Sequence, residues 1–419
     1  LADKHQACPY CGFTAPKIKE YVTKEITHSA LTTQKCIIKY RARRYKCSCC
    51  GKTYYEFNPF VFKSQKISIL TVHNILKDLK DFNETFTSVA RRYHVSPTSV
   101  STIFDNHVDI GRNPLPEIIN FDEVYAFKSE KSKYVCVLLD FKKQIPVDVL
   151  PNRKKEYLLN YFQKIPLEER KKVKYACSDM YEVYRDVVHK VFPEAKHLLD
   201  YFHLSQDFHK KMNEVRIKVM KGYKDDKASD EYYLLKKFNW LLFKNPEDED
   251  KYGRLFDVER ERKYNSHFKS YMNYYDLRKK LLEINNDLTI CYSLKLELVD
   301  FYSKSTIDNA QVNLEHLIRS FIDTNIEEMI KFSNNLINWK QEIINSFTIV
   351  GTEYKVEADK GQVVVCNKKV NNAIIENRNK IIKCIKNNAN GYTNWLRFRN
   401  RVMYVLDPNA TFSLEPREK

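Results

Sequence analysis

The sequence predicts a multidomain α/β protein with a large all-helical domain inserted in or appended to its α/β core, preceded by two small modules. Three observations predict it. Two Cys-x-x-Cys pairs frame residues 8–50; from Glu117 onward, strand-like runs alternate with helical ones; and from about 210 to 350 the pattern is almost wholly helical. At 419 residues the chain is longer than one ordinary core, so two or three domains are expected.

Composition narrows the function. Hydrophobic residues at 43% and aromatics at 13% suffice to fill such cores. No run of about 18 apolar residues occurs, and the opening "LADKHQACPY" lacks the apolar centre of a signal peptide. A soluble, cytoplasmic protein without a membrane partner is expected. The formal charge of +17 favours polyanions, most simply nucleic acid. Residues 1–112 carry 18 Lys and Arg against 9 Asp and Glu, yet are rich in Tyr, Phe, Ile and Cys, so they read as folded basic modules. A generally Lys-rich composition is the plainer alternative. Of the 11 cysteines, Cys136, Cys177, Cys291, Cys366 and Cys384 stand singly in apolar or helical contexts, which fits a reducing compartment.

The elements follow in order. "CPYCG" (Cys8, Cys11) and "CSCCG" (Cys47, Cys50) enclose β-prone sequence, and paired thiolates each followed by Gly are the knuckles of a zinc ribbon, placed at residues 1–62. A reducible disulfide pair or a chance cluster is the alternative, and Cys49 leaves the choice of thiols open. Residues 63–112 turn helical, and "TFTSVARRYHVSPTSVSTIFDNH" has the layout of a helix-turn-helix. Val89, Ala90 and Tyr93 pack the first helix, "HVS" turns, and Ser96 caps a second helix with Pro97 at its first position. That second helix would offer Thr98, Ser99 and Thr102 to a groove; a generic helical hairpin is the competing reading.

In residues 113–209, "IINFDEVYAF", "KYVCVLLDF" and "QIPVDVLPN" read as strands, followed by helix, strand ("VKYACSD"), helix and strand ("AKHLLDYFH"). Three strands in a meander followed by alternating helices and strands is the order of an RNase H-like fold. A doubly wound nucleotide-binding fold competes, but the 8 glycines form neither GxGxxG nor a P-loop. Residues 210–358 read as an inserted or appended helical domain, and 359–419 hold a short strand-like piece, "KGQVVVCN", and a long helix.

The carboxylates carry the chemistry. Asp122 and Glu123 sit side by side in an apolar run, where ionised acids are costly without partners, and strand alternation points them to opposite faces. Cleavage of a phosphodiester by two divalent cations needs oxygen ligands from separate elements. Asp122 in the first core strand and Asp179 ending "VKYACSD" supply two. Glu376 is a candidate third: in "NNAIIENRNKIIKCIK" the apolar stripe is Ile374, Ile375, Ile381, Ile382 and Ile385, with Glu376, Asn379, Lys380 and Lys383 on the opposite face. By pattern alone, Glu376 reads better as a solvated ion pair with Lys380. Asp200 and His203 in "LLDYFHL" read equally as capping or core residues.

Assembled in order, the Cys pairs, the helix-turn-helix, "NFDEVYAF", "ACSDMYEVYRDVVHKVFPEAKHLLDYFHL" and "IIENRNKIIKCIKNNANGYTNWLRFRNRV" resemble the ISL3 family of bacterial insertion-sequence transposases. The resemblance implies an RNase H-like DDE core with Asp122, Asp179 and Glu376 as the catalytic triad holding Mg²⁺ (or Mn²⁺), spaced by 57 and 197 residues. "DYFH" matches the Asp-x-x-His signature of related enzymes, which makes Asp200 and His203 supporting residues, with Glu123 secondary. It further implies binding to double-stranded DNA at terminal inverted repeats, strand cleavage and transfer, a homodimer on DNA, and a nucleoid-associated location in a bacterium. Arg41, Arg43, Arg44, Arg91 and Arg92 would hold phosphates, and Asn379 and Lys383 would approach the DNA. A non-catalytic DNA-binding regulator and a structure-specific nuclease of the same fold are the alternatives. Asn377, where the family usually has Gly, and Asn387, in place of a commonly basic residue, depart from its pattern.

Overall fold

Alternating apolar and charged residues make the basic N-terminal segment a sheet. In the computed structural model, which describes residues 7–14, 16–29, 34–62, 65–127, 133–356 and 363–417, β1 (Lys17–Thr27) pairs antiparallel with β2 (Ile37–Lys46), and β2 with β3 (Thr53–Tyr55). Ile26, Tyr40, Ala42 and Tyr45 are buried while Tyr21 lies out, opposite Arg43. Three helices follow, each started by a hydroxyl cap. Ser68 caps α1 (Ile69–Asp78) and Thr85 caps α2 (Phe86–Arg92) in a reciprocal box with Ser88. Ser96 caps α3 (Pro97–His107). Val72, Ile75, Val89, Ala90, Val100 and Phe104 fill one small core. His94, between α2 and α3, takes the left-handed conformation with φ 55°, which lets the chain reverse sharply there.

The central sheet is mixed. Its strands are β4 (Ile118–Val124), β5 (Val135–Asp140), β6 (Pro146–Leu150), β7 (Tyr175–Ser178) and β8 (Lys196–Leu199), in the order β6–β5–β4–β7–β8. β5 and β6 are antiparallel; β7 runs parallel to β4, and β8 parallel to β7. Helices α4 (Lys155–Gln163), α5 (Leu167–Arg170) and α6 (Glu182–Val191) make the connections. β5 and β6 are buried throughout, as strands covered on both faces must be.

The chain divides into two compact units. The first comprises residues up to Leu115, Asp122–Tyr157 and Ile374 onward. In it, Ile375, Ile382 and Ile385 of helix Ala373–Asn388 and Phe398, Val402 and Leu406 of helix Trp395–Leu406 pack with Val135, Val137, Leu139 and Val149. The second comprises Pro116–Phe121 and Leu158–Ala373. Its core gathers α7 (Tyr201–Lys221) and the helices after it around Phe208, Met212, Leu298, Phe321 and Phe332.

The stretch expected to be almost wholly helical is broken by two hairpins. Glu249–Asp250 pairs with Gly253–Arg254, and Lys263–Asn265 with Ser270–Met272. The first forms where Gly253 adopts φ 98° within "EDEDKYGR", a charged run with no apolar stripe to hold a helix. The expected strand near "KGQVVVCN" is also half of a hairpin, Ile349–Val356 with Val363–Lys369.

Candidate active site

The four paired cysteines converge. Cys8, Cys11, Cys47 and Cys50 place their sulfurs within 4.8 Å of one another, with Cys8 Sγ 3.7 Å from Cys50 Sγ and Cys11 Sγ 3.5 Å from Cys47 Sγ. Sulfurs on a tetrahedral zinc with bonds of ~2.3 Å lie ~3.8 Å apart, so the donor set fits that ion. Both knuckles close through glycine: Gly12 N–H donates to Cys8 O and Gly51 N–H to Cys47 O, at φ 73° and 69°. The Cys50 amide, donating to the Cys47 sulfur, helps bring that thiol down to about 7, while Cys11 and Cys50 are pushed up as the sulfurs bond to one another. Cys49 is exposed and outside the cluster, and Cys36 stands just before β2.

Within the first unit, Asp122 is 7% exposed near the end of β4. Its Oδ1 accepts from the Glu123 amide at 2.8 Å, and its Oδ2 from the Asn379 side chain at 2.7 Å. Glu376 is half-buried and stands one turn before Asn379 on the same helix, so it projects from the side that reaches Asp122. Glu123 points the other way, into an ion pair with Arg153. Asn379 thereby departs from expectation: it is 5% exposed and bonded to Asp122 rather than on the solvated face, because the helix buries this polar side beside β4 as well as its isoleucine stripe. Lys383 is exposed.

Within the second unit, acids stand at the carboxyl ends of parallel strands, where ligands of open α/β sheets gather. Asn120 of β4 pairs in register with Cys177 of β7, and Cys177 with Leu198 of β8. Two residues beyond that row, the sequences following β7 and β8 reach Asp179 and Asp200. Asp179 lines a cleft of about 310 Å³ with Met180, His203, Gln206, Asp207 and Lys210. Asp200, 3% exposed at the start of α7, has Oδ2 3.8 Å from His203 Nε2, and its Oδ1 accepts from the Asn372 amide at 3.2 Å. The sequence reading missed Asn372. Fully buried, it accepts from Asn120 Nδ2 at 2.7 Å and donates to Phe121 O at 3.3 Å, so one side chain braces β4 while its backbone N–H braces Asp200. The signal was Asn120 itself, an amide in the apolar run "IINFD", since buried amides need partners.

The ISL3 transposase family model, described as "Transposase", matches residues 119–358. The chain belongs to the ISL3 family of transposases. A transposase for the insertion sequence element IS1001 of Bordetella parapertussis is 19% identical over 410 residues, covering 97% of this chain and 90% of that protein. Membership makes this an enzyme of DNA cleavage and transfer with DNA as its partner, and suggests a divalent metal. Among the described residues, no helix is long and apolar enough to cross a membrane.

The basic residues of the transposase's small modules differ in their engagements. Arg41 is exposed over the Tyr21 ring, Arg43 lies 3.8 Å from Glu56, and Arg44 binds Glu20 at 2.8 Å. Arg91, Thr98 and Thr102 are exposed, and Ser99 is half-buried against the Ser96 cap. Arg92, expected to hold a phosphate, is paired within the module with Asp78 and Glu84, which hold its guanidinium well above its ordinary basicity.

Proposed function

We propose that this transposase binds the terminal inverted repeats of an insertion sequence, hydrolyses a strand at each end, and joins the freed 3′-hydroxyl to target DNA. The observation that carries the reading is the placement of acids at the carboxyl ends of parallel strands in a chain of this family, with Asn379 fastening the helix of Glu376 to Asp122. Residues 1–62 act as a zinc ribbon and 63–112 as a helix-turn-helix that reads the ends; residues 113–209 and 359–419 form an RNase H-like core around the helical insertion 210–358. Asp122, Asp179 and Glu376 would hold two Mg²⁺ (or Mn²⁺) ions, whose chemistry there would be activation of the attacking oxygen and neutralisation of the leaving one.

The chain's own part is positioning. Asn379 fixes the Asp122 carboxylate, Asn372 fixes Asp200, and His203 beside Asp200 orders the start of α7. Arg41, Arg91 and Lys383 are exposed cations suited to the phosphate backbone, and Thr98 and Thr102 face outward from α3 to a groove. Two ends must be joined at once, so the working unit is a homodimer on DNA.

A strand-transfer assay with pre-cleaved element ends and Mg²⁺ tests the reading. Joining supports it; cutting without joining would mark a nuclease, and DNA binding without either a regulator. Asp179→Asn and Glu376→Gln are expected to bind the ends normally and to lose joining by at least about 100-fold, as removal of an electrostatic stabiliser does. Undiminished joining in Asp179→Asn would remove it from the triad.

A further inference from the structure

Away from the acids above, a second set of metal-ligating atoms comes together in the second unit. His189 near the end of α6, His197 in β8 and Glu342 in helix Lys340–Asn345 hold ligand atoms within 4.8 Å of one another. His189 Nε2 and His197 Nδ1 each lie 3.9 Å from Glu342 Oε1. The His197 and Glu342 side chains are 0% and 6% exposed and the His189 side chain 56%, so the group has a closed floor and one side open to solvent.

Hydrogen bonding settles the tautomer of the buried ring. The Ser178 hydroxyl donates to the Asp179 carbonyl at 2.8 Å, so its oxygen accepts from His197 Nε2 at 2.9 Å. Nε2 therefore carries the hydrogen, and a neutral ring turns the Nδ1 lone pair toward Glu342. Nδ1 is buried and has no hydrogen-bond partner among the described residues. Two acceptors facing each other in a buried setting are costly unless a cation lies between them. Their 3.9 Å separation is too long for a hydrogen bond. It is a few tenths of an ångström above the ~3.4 Å between two ligands on a tetrahedral ion with bonds of ~2.1 Å.

A proton on Nδ1 is the rival cation. Burial pushes the His197 imidazole below its ordinary basicity; Glu342 pushes the other way, and His189 and Arg185 side with burial. Arg185 is itself held elsewhere: it donates to Asn338 O at 2.9 Å, lies over the Trp339 ring and pairs with Glu182.

We propose that His189, His197 and Glu342 form a site for a transition-metal ion of the zinc class, bound by two imidazoles and one carboxylate with a fourth position open to water. Imidazole ligands select such an ion over the hard Mg²⁺. The ion fastens α6, β8 and helix Lys340–Asn345 together. Through the His197–Ser178 bond it also steadies the residue preceding Asp179. The site is independent of the catalytic reading.

Metal counting on the full-length protein, loaded with Zn²⁺ and dialysed against zinc-free buffer, tests it. The wild type is expected to retain one equivalent beyond that held by the four cysteines. His189→Ala and Glu342→Gln each lose that equivalent, while Cys8→Ser/Cys47→Ser loses the other and keeps this one. Asp179→Asn keeps both, which separates this centre from the catalytic acids. His189 is half-exposed, so His189→Ala is expected to keep the wild-type circular dichroism spectrum and to lose the part of the zinc-dependent rise in unfolding temperature that Cys8→Ser/Cys47→Ser retains. A His189→Ala protein that is folded and holds as much zinc as the wild type overturns the proposal. So does a wild type whose His197 is an imidazolium that excludes zinc at neutral pH.

Discussion

Replacing Asn379 with leucine probes the contact on which the placement of the Glu376 helix turns. The side chain is 5% exposed and donates to Asp122 Oδ2 at 2.7 Å; among the described residues its own Oδ1 is buried with no hydrogen-bond partner. Leucine fills a similar volume, so cavity formation contributes little. A hydrogen bond to an ionised group contributes ~1.5–3 kcal/mol, which corresponds to a loss of about 10- to 150-fold in the folding equilibrium. The expected result is a lower denaturant midpoint at an unchanged slope. Asn379→Asp separates geometry from charge. It sets a second carboxylate against Asp122 and is expected to be less stable than the leucine variant without divalent cations, recovering as Mg²⁺ is added. If Asn379→Leu unfolds at the wild-type midpoint and joins DNA at the wild-type rate, this bond does not position Asp122 and the reasoning fails.

Three further outcomes are expected. Arg91→Ala weakens DNA binding and lowers the salt slope by about 1, whereas Arg92→Ala leaves that slope unchanged and costs at most ~1 kcal/mol of stability, since its ion pairs are partly exposed; equal salt slopes for the two would contradict this division. Cys47→Ser opens the segment around the four cysteines to proteolysis while the mixed sheet stays protected from hydrogen exchange, because the apolar cluster around those cysteines is only a few residues. Burial lowers Lys295 to about 7 from 10.5. The unfolded chain then holds a proton that the folded chain lacks between those values, so stability rises with pH across that window by up to about 1.4 kcal/mol per unit. Lys295→Met is expected to flatten the rise; a wild type with no rise between pH 7 and 10 would show a Lys295 that stays charged on folding.

Local signals made much of this legible. The Cys-x-x-Cys-Gly knuckles, the Ser96–Pro97 helix start and the strand order after Glu117 are each written in a handful of adjacent residues, and their elements form where they were expected. The opposite facing of Asp122 and Glu123 followed from strand alternation alone. What pairing alone decides was not legible. Arg153 reaches Glu123 from a loop 30 residues on, and Arg92 meets Asp78 at the end of α1 and Glu84 in the turn before α2; nothing in their local sequence distinguishes them from free phosphate binders. Asn379 was misplaced because a helix was assigned a single buried stripe, whereas this one also buries a polar side.

That polar side belongs to a pattern with a physical cost. Asn120, Asn372, Ser178 and Asp200 in the second unit, and Asp122 and Asn379 in the first, are all under a tenth exposed among strands and helices that are otherwise apolar. Each needs a partner, and replacing such a set with packed hydrophobes is often neutral or stabilising. A core selected for stability alone would not keep an amide at Asn120 solely to meet Asn372, nor aim a buried amide at a buried carboxylate. The arrangement makes sense where carboxylates must be held at fixed places for ions that the apolar surroundings could not bind. Such violations of local consistency are expected at functional sites. In the second unit they fall at the carboxyl ends of β7 and β8, and in the first on the helix that Asn379 fastens to Asp122.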